Sequence, residues 1–130
     1  MTAWQPGMVI TAARLNDDHP GAWTTVAFNN WAQGGLSYAP LRVQRDGTRA
    51  RLDGHAQPTA AFTGGQIAFT IPVGYRPLYQ RYYSVPRITS GTPTFIGVAI
   101  ATNGEVTVYS STSIGTTDRF DFSVIDWPLD

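Results

Sequence analysis

The sequence predicts an all-β protein, a single jelly-roll-like β-sandwich head preceded by a short segment of different character. Three observations predict it. From Trp23 onward apolar and polar residues alternate along most runs, as half-buried strands require. Asp46-Gly47 and Asn103-Gly104 each sit between two such runs, where a tight hairpin turn needs residues tolerant of positive φ. Turn residues recur roughly every 8–12 positions, the spacing of a sandwich or barrel. With 130 residues there is room for one hydrophobic core.

Composition narrows the function classes. Charged residues are 14% of the chain, well below the ~25% of an average domain, so neutral side chains must finish much of the surface. That suits an all-β protein that hides part of its surface in an oligomer. Net charge is zero, which removes any general attraction to nucleic acid. All nine basic residues are Arg, a choice consistent with a GC-rich genome or with fork-shaped interface contacts. The absence of cysteine excludes disulfides and thiolate metal sites. No apolar run approaches the ~20 residues of a membrane-spanning helix, and no signal peptide opens the chain, so a soluble protein made in a cytoplasm is expected.

Residues 1–22 stand apart. Trp4, Pro6 and Gly7 make a turn, Met8-Val9-Ile10 is a short strand candidate, and Thr11 can cap a helix over residues 12–16. A helix that short is unstable alone in water and must pack on something. Residues 23–130 form the head. Trp23 to Phe28 reads as a strand, and Asn29-Asn30-Trp31 as the start of a loop. The runs around Leu41 and Val43, and around Ala50, Leu52, Gly54 and Ala56, form a hairpin. Ile67, Phe69 and Ile71 define a strand that ends in the stiff loop Pro72-Val-Gly-Tyr-Arg-Pro77. Gln80 to Val85 is an aromatic strand that Pro86 confines to an edge or an end. Ile96, Val98 and Ile100 pair across Asn103-Gly104 with Val106 and Val108. Residues 110–117 read as a polar loop, and Phe120, Phe122 and Val124 as the last alternating strand.

Catalytic chemistry finds little support. His19 and His55 are too far apart in sequence to form a metal pair, and no metal or cofactor is expected. The nucleophile-elbow motif is missing, Glu105 is the only Glu, and Asp118, Asp121 and Asp126 show no spacing for a paired-carboxylate hydrolase. The protein is therefore not expected to be an enzyme. The aromatic segment carries more information. Tyr75, Tyr79, Tyr82 and Tyr83 lie close together with Arg76 and Arg81 among them, and Tyr and Arg dominate recognition surfaces because large planes bind at low entropic cost. Alternation puts Tyr79, Arg81 and Tyr83 on one face, expected to be the wet one and to hold a sugar; the competing expectation is that this face holds protomers together.

The order of several motifs resembles phage tail-fibre and receptor-binding proteins. They are Trp4-Gln-Pro-Gly7 followed by Thr11-Ala12 and Leu15-Asn16, then Asn29-Asn30-Trp31, Arg42-Val43 with Leu52-Asp53-Gly54, Ile71-Pro-Val-Gly-Tyr-Arg-Pro77, and Val98 to Val106 around Asn103-Gly104. The resemblance implies a homotrimeric head and a place in the virion, the phage tail, after assembly in the host cytoplasm. Its implied partners are other tail or baseplate proteins and a host-surface saccharide. Residues 1–22 would then attach the head to the particle through Trp4, Val9, Ile10 and Leu15. Only residues 17–22 stand where such proteins carry a long shaft, which places the head close to the tail tip or capsid. The alternative is a purely structural baseplate, tail-tip or capsid decoration protein.

Overall fold

The structure, a computed structural model, describes residues 21–35 and 38–129. The attachment residues Trp4, Val9, Ile10 and Leu15, and the short helix expected over residues 12–16, lie outside the described residues. Among the described residues there is no helix, and 61% is strand.

Among the described residues twelve strands form two antiparallel sheets. In chain order they are β1 (Thr24–Thr25), β2 (Ala27–Phe28), β3 (Trp31–Gln33), β4 (Arg42–Asp46), β5 (Arg49–Asp53), β6 (His55–Pro58), β7 (Phe62–Thr70), β8 (Arg81–Thr89), β9 (Thr92–Ile100), β10 (Glu105–Ile114), β11 (Arg119–Asp121) and β12 (Asp126–Pro128). The small sheet has the order β1-β4-β5-β12 and the large one β2-β7-β10-β9-β8-β11-β6-β3. The expected sandwich is present.

The large sheet nearly closes on itself, and the reason is covalent. Its two outermost strands, β2 and β3, are joined by Asn29-Asn30 alone. Asn30 takes a left-handed φ of 57°, which Asn tolerates well, and turns the chain from one edge to the other. The corner is held from both sides. Asn29 N–H donates to Ala68 O at 2.9 Å, and the Thr59 hydroxyl donates to Asn30 O at 2.7 Å. Closure of this kind removes exposed strand edges.

The strand order changes sheet four times: at Val26, between Gln33 and Arg42, at Gly54 and between Asp121 and Asp126. The strand expected over Trp23–Phe28 is accordingly two strands in different sheets. Its buried pivot is Val26. The last crossing also shifts the inward pattern. Phe122 and Ile125 are buried, whereas Val124, expected to face inward, is exposed, because Ile125 N–H bonds back to Phe122 O and resets the alternation. Residues 110–114, expected as loop, continue β10 past an irregularity in its pairing with β7.

Between the sheets lies one core. Trp31, Phe69, Phe120, Phe122 and Trp127 fill its centre, with Trp31 and Phe120 ring centroids 5.1 Å apart and Phe69 edge-on to Phe122. Each such side chain contributes about 1.5–3 kcal/mol on leaving water. The indole N–H of each Trp needs a partner when buried. Trp31 donates to Gln66 Oε1 at 2.7 Å, and Trp127 donates to Tyr75 O at 2.8 Å.

Candidate receptor-binding surface

The loop of residues 71–80 is a rigid platform. Ile71 N–H donates to Gly104 O at 2.8 Å, and Arg76 Nε donates to Ile71 O at 2.8 Å, so the guanidinium closes the loop on its own start. Tyr75 packs on the core and its hydroxyl lies 3.1 Å from Thr24 Oγ1. Pro77 is buried. The neighbouring β9–β10 turn must come very close. A Cβ on Gly104 (φ 88°) would sit 2.6 Å from Arg76 Nε, so only glycine lets the two turns dock. The most legible motif of the sequence, Gly74-Tyr75-Arg76-Pro77, is thus largely architecture.

The platform presents Val73, Leu78 and Tyr79 outward, and the start of β8 adds Tyr82; all four are exposed. Tyr79 is 69% and Tyr82 73% exposed, high values for residues with so much apolar surface. Gln80 Nε2 donates to the Tyr82 hydroxyl at 2.9 Å and fixes that ring's tip.

Of the three residues expected to share a wet face, Tyr79, Arg81 and Tyr83, Tyr79 is exposed, and Arg81 and Tyr83 are half-buried. Residues 78–80 are outside the strand, so alternation begins at Arg81. Arg81 pairs with Ile100 and Tyr83 with Val98, both buried, which puts Arg81 and Tyr83 on the inward side. Tyr83 packs on the core and donates to Asp126 O at 2.7 Å. Burial raises its pKa, and the nearby Arg81 charge offsets part of that rise. Arg81 Nε is buried without a partner. The exposed tyrosine that alternation assigned to the other face is Tyr82. Buried Val85 was the available signal, because it shares parity with Arg81 and Tyr83.

Along the outer face of β8, β9 and β10 an apolar strip continues from Tyr82. The registers Tyr82↔Ala99, Pro86↔Phe95 and Tyr109↔Gly97 place Tyr82, Phe95 and Tyr109 outward on adjacent strands. Tyr109 lies across Gly65, where a Cβ would sit 2.9 Å from its ring. No outward position of β8 from Tyr82 to Pro86, or of β9 from Phe95 to Ala99, carries a charge.

Two polar clusters elsewhere are structural. His55 Nε2 lies 3.8 Å from Asp121 Oδ2, with the Tyr38 ring tilted against the imidazole, centroids 4.6 Å apart. Asp118 is buried and bonded to Arg87, Thr89 and Gly115. No group of three metal-ligating side chains comes together among the described residues.

No protein-family model matches the chain, and no curated protein matches it. Among solved structures it is similar to the head domain of lactococcal phage bIL170, described as a receptor-binding domain, with a TM-score of 0.64. Sequence identity is 17%, and the match covers 84% of this chain and 98% of that one. The resemblance carried by the motifs therefore holds at the level of architecture: the chain has the fold of a phage receptor-binding head domain.

Proposed function

We propose that this protein is a phage tail component that attaches the virion to the host cell surface, without catalysis, by binding a saccharide. The observation that carries the proposal is the pair of exposed tyrosines, Tyr79 on a loop whose backbone is pinned to the large sheet and Tyr82 on the strand β8 that follows it. Rigid aromatic planes stack on sugar rings with little entropy left to lose. The site expected at Tyr79, Arg81 and Tyr83 is thereby proposed in altered form. Tyr79 and Tyr82 make contact, while Arg81 and Tyr83 support them from the inward side of β8.

The head is proposed to act as a homotrimer, with the uncharged Phe95–Tyr109 strip supporting a protomer contact. Residues 1–22 are proposed as the attachment segment. Its end already meets the small sheet, where Gly21 N–H donates to Arg45 O at 2.8 Å. Removing residues 1–20 is expected to leave a folded head that no longer joins particles, read by particle-bound signal in a complementation assay. A truncated chain that fails to fold would show instead that the segment belongs to the core.

The test of the site uses fluorescently labelled protein on a panel of candidate host cells. Tyr79→Ala/Tyr82→Ala is expected to lower cell staining at least tenfold, with a sedimentation mass of three chains and a change in stability within about 0.5 kcal/mol, as for exposed positions. Tyr83→Phe is expected to cost about 1 kcal/mol through the lost hydrogen bond while staining persists. Undiminished staining by the double variant would move the site elsewhere. A monomer mass at micromolar concentration would overturn the trimer. The apolar strip also favours a second reading, a baseplate or decoration protein whose neighbours are all virion proteins; parent protein that stains no cell but binds tail proteins would establish it.

A further inference from the structure

The outer face of the small sheet holds a feature that the tyrosine surface does not use. Trp23, where the head begins, lies against two arginines, with the guanidinium carbon of Arg42 4.8 Å and that of Arg51 5.2 Å from its ring centroid. Beside the ring is a hollow of about 220 Å³ lined by Trp23, Arg51, Leu52, Asp53 and Ser123. Pairing explains the juxtaposition. Gln44 is opposite Arg51 and Arg42 is opposite Asp53, so all four side chains rise from the same face of β4 and β5.

The charges within the hollow are unequally satisfied. Asp53 is neutralised, since Arg42 donates to one of its oxygens at 3.3 Å and the Ser123 hydroxyl to the other at 3.1 Å. Arg51 has no carboxylate within salt-bridge distance among the described residues. Its Nε donates to Gln44 Oε1 at 3.0 Å, and the Gln44 amide is in turn anchored to Gly21 O at 2.9 Å. Gln44 is itself buried. The guanidinium is therefore held from below by a buried amide and from the side by an indole, and its terminal N–H groups have no protein acceptor among the described residues. Such a fork, oriented before any ligand arrives, matches the two oxygens of an oxyanion. The local balance of Arg42, Arg51 and Asp53 is one positive charge.

We propose that this hollow is an anion-binding site for one carboxylate or phosphate ester carried on a small ring, with the oxyanion on Arg51 and the ring against Trp23. It shares no lining residue with the tyrosine platform, and its test reads binding of small molecules, so its failure and that of the adhesion reading are separable.

The experiment is a titration of the full-length ¹⁵N-labelled protein, following the Trp23 indole and Arg51 Nε resonances. The probes are glucuronate, glucose 1-phosphate, neutral glucose and inorganic phosphate. Saturable shifts at both resonances are expected with one or both charged sugars, and the stronger of the two identifies the oxyanion. Glucose and inorganic phosphate are expected to bind about tenfold more weakly or worse, because each lacks one half of the recognition. Arg51→Gln should weaken the charged probe about tenfold or more, the loss expected on removing a charge-assisted hydrogen-bonding group, and Arg51→Lys should retain part of the affinity. Non-saturable shifts, equal shifts with inorganic phosphate, or unchanged binding by Arg51→Gln and Arg51→Lys would each overturn the site.

Discussion

Gly54→Ala is expected to prevent the protein from accumulating in a folded state. Gly54 is the single residue between β5 and β6, where the chain leaves the small sheet and enters the large one. Its φ is 116°, a region that side chains avoid. A Cβ there would run into the Pro40 carbonyl group and come 2.7 Å from Leu41 Cα, both of them backbone that cannot swing aside. The same position is tied on every side. Gly54 N–H donates to Ser123 Oγ at 3.0 Å, Phe122 N–H to Gly54 O at 3.0 Å, and His55 N–H to Ala39 O at 2.9 Å. Relieving the clash would break one of these crossings, so the cost is expected to exceed about 4 kcal/mol, a large share of the 5–15 kcal/mol of a typical domain. Gly97→Ala is the matched control, with no atom near its Cβ and ordinary strand φ, and is expected to gain about 0.5 kcal/mol. Urea unfolding of the two variants checks both. A Gly54→Ala protein within about 1 kcal/mol of the parent would show that the close approach at Pro40 is wrong.

Gly54 also marks what the residues could and could not reveal. Its place in the inward series Ala50, Leu52, Gly54, Ala56 was legible, because strand periodicity depends only on neighbouring residues, and all four are buried. The change of sheet at that residue was not, since a glycine within a strand pattern marks a bulge, a bend or a close approach without saying which. Val26 hid its crossing better still, as nothing in Thr24-Thr25-Val26-Ala27-Phe28 interrupts a strand. Pro86 does not end its strand, which runs on to Thr89 inside the large sheet, but the edge character holds locally: β11 pairs only with Arg87 and Ile88, so residues 81–86 of β8 have a ladder partner on β9 alone.

The candidate surface was legible as a segment and not as a face. Four tyrosines within residues 75–83 divide evenly, with Tyr75 and Tyr83 packed on the core and Tyr79 and Tyr82 exposed. Parity counted from Tyr79 failed because the strand starts at Arg81, two residues later. The Trp23 hollow was invisible in sequence. It needs the register of β4 on β5 to bring Arg42, Arg51 and Asp53 together, and register is a tertiary fact.

Asp118→Asn is expected to cost about 3 kcal/mol at neutral pH and much less in acid. Asp118 is buried at the β10–β11 turn, where it accepts from Arg87 at 2.8 Å, from Thr89 Oγ1 at 2.7 Å and from Gly115 N–H at 2.8 Å. Burial by itself raises the carboxyl's pKa. The bonds from Thr89, Gly115 and Arg87, with the Arg87 charge, outweigh it and bring the pKa below the usual carboxylate value. A folded pKa below the unfolded value of about 3.9 means that the native state binds fewer protons than the unfolded one near that pH. The stabilisation is therefore fully present above the unfolded value and is lost as the pH falls through the folded one. The Asn variant keeps the shape but removes the charge, leaving the largely buried Arg87 without its counterion, and breaking a buried pair from one side typically costs about 3–5 kcal/mol. Urea midpoints at pH 7, 5 and 3 should show the parent falling toward the variant as the pH drops below 4. Parallel pH profiles would mean that Asp118 titrates alike in both states and that the three bonds do not favour its charged form. A carboxylate whose oxygens are already taken by Arg87, Thr89 and Gly115 has little left to offer a substrate, so Asp118 is a clamp. It ties β8 to the β10–β11 turn, near the tip of the β8–β9 hairpin that carries Phe95 outward.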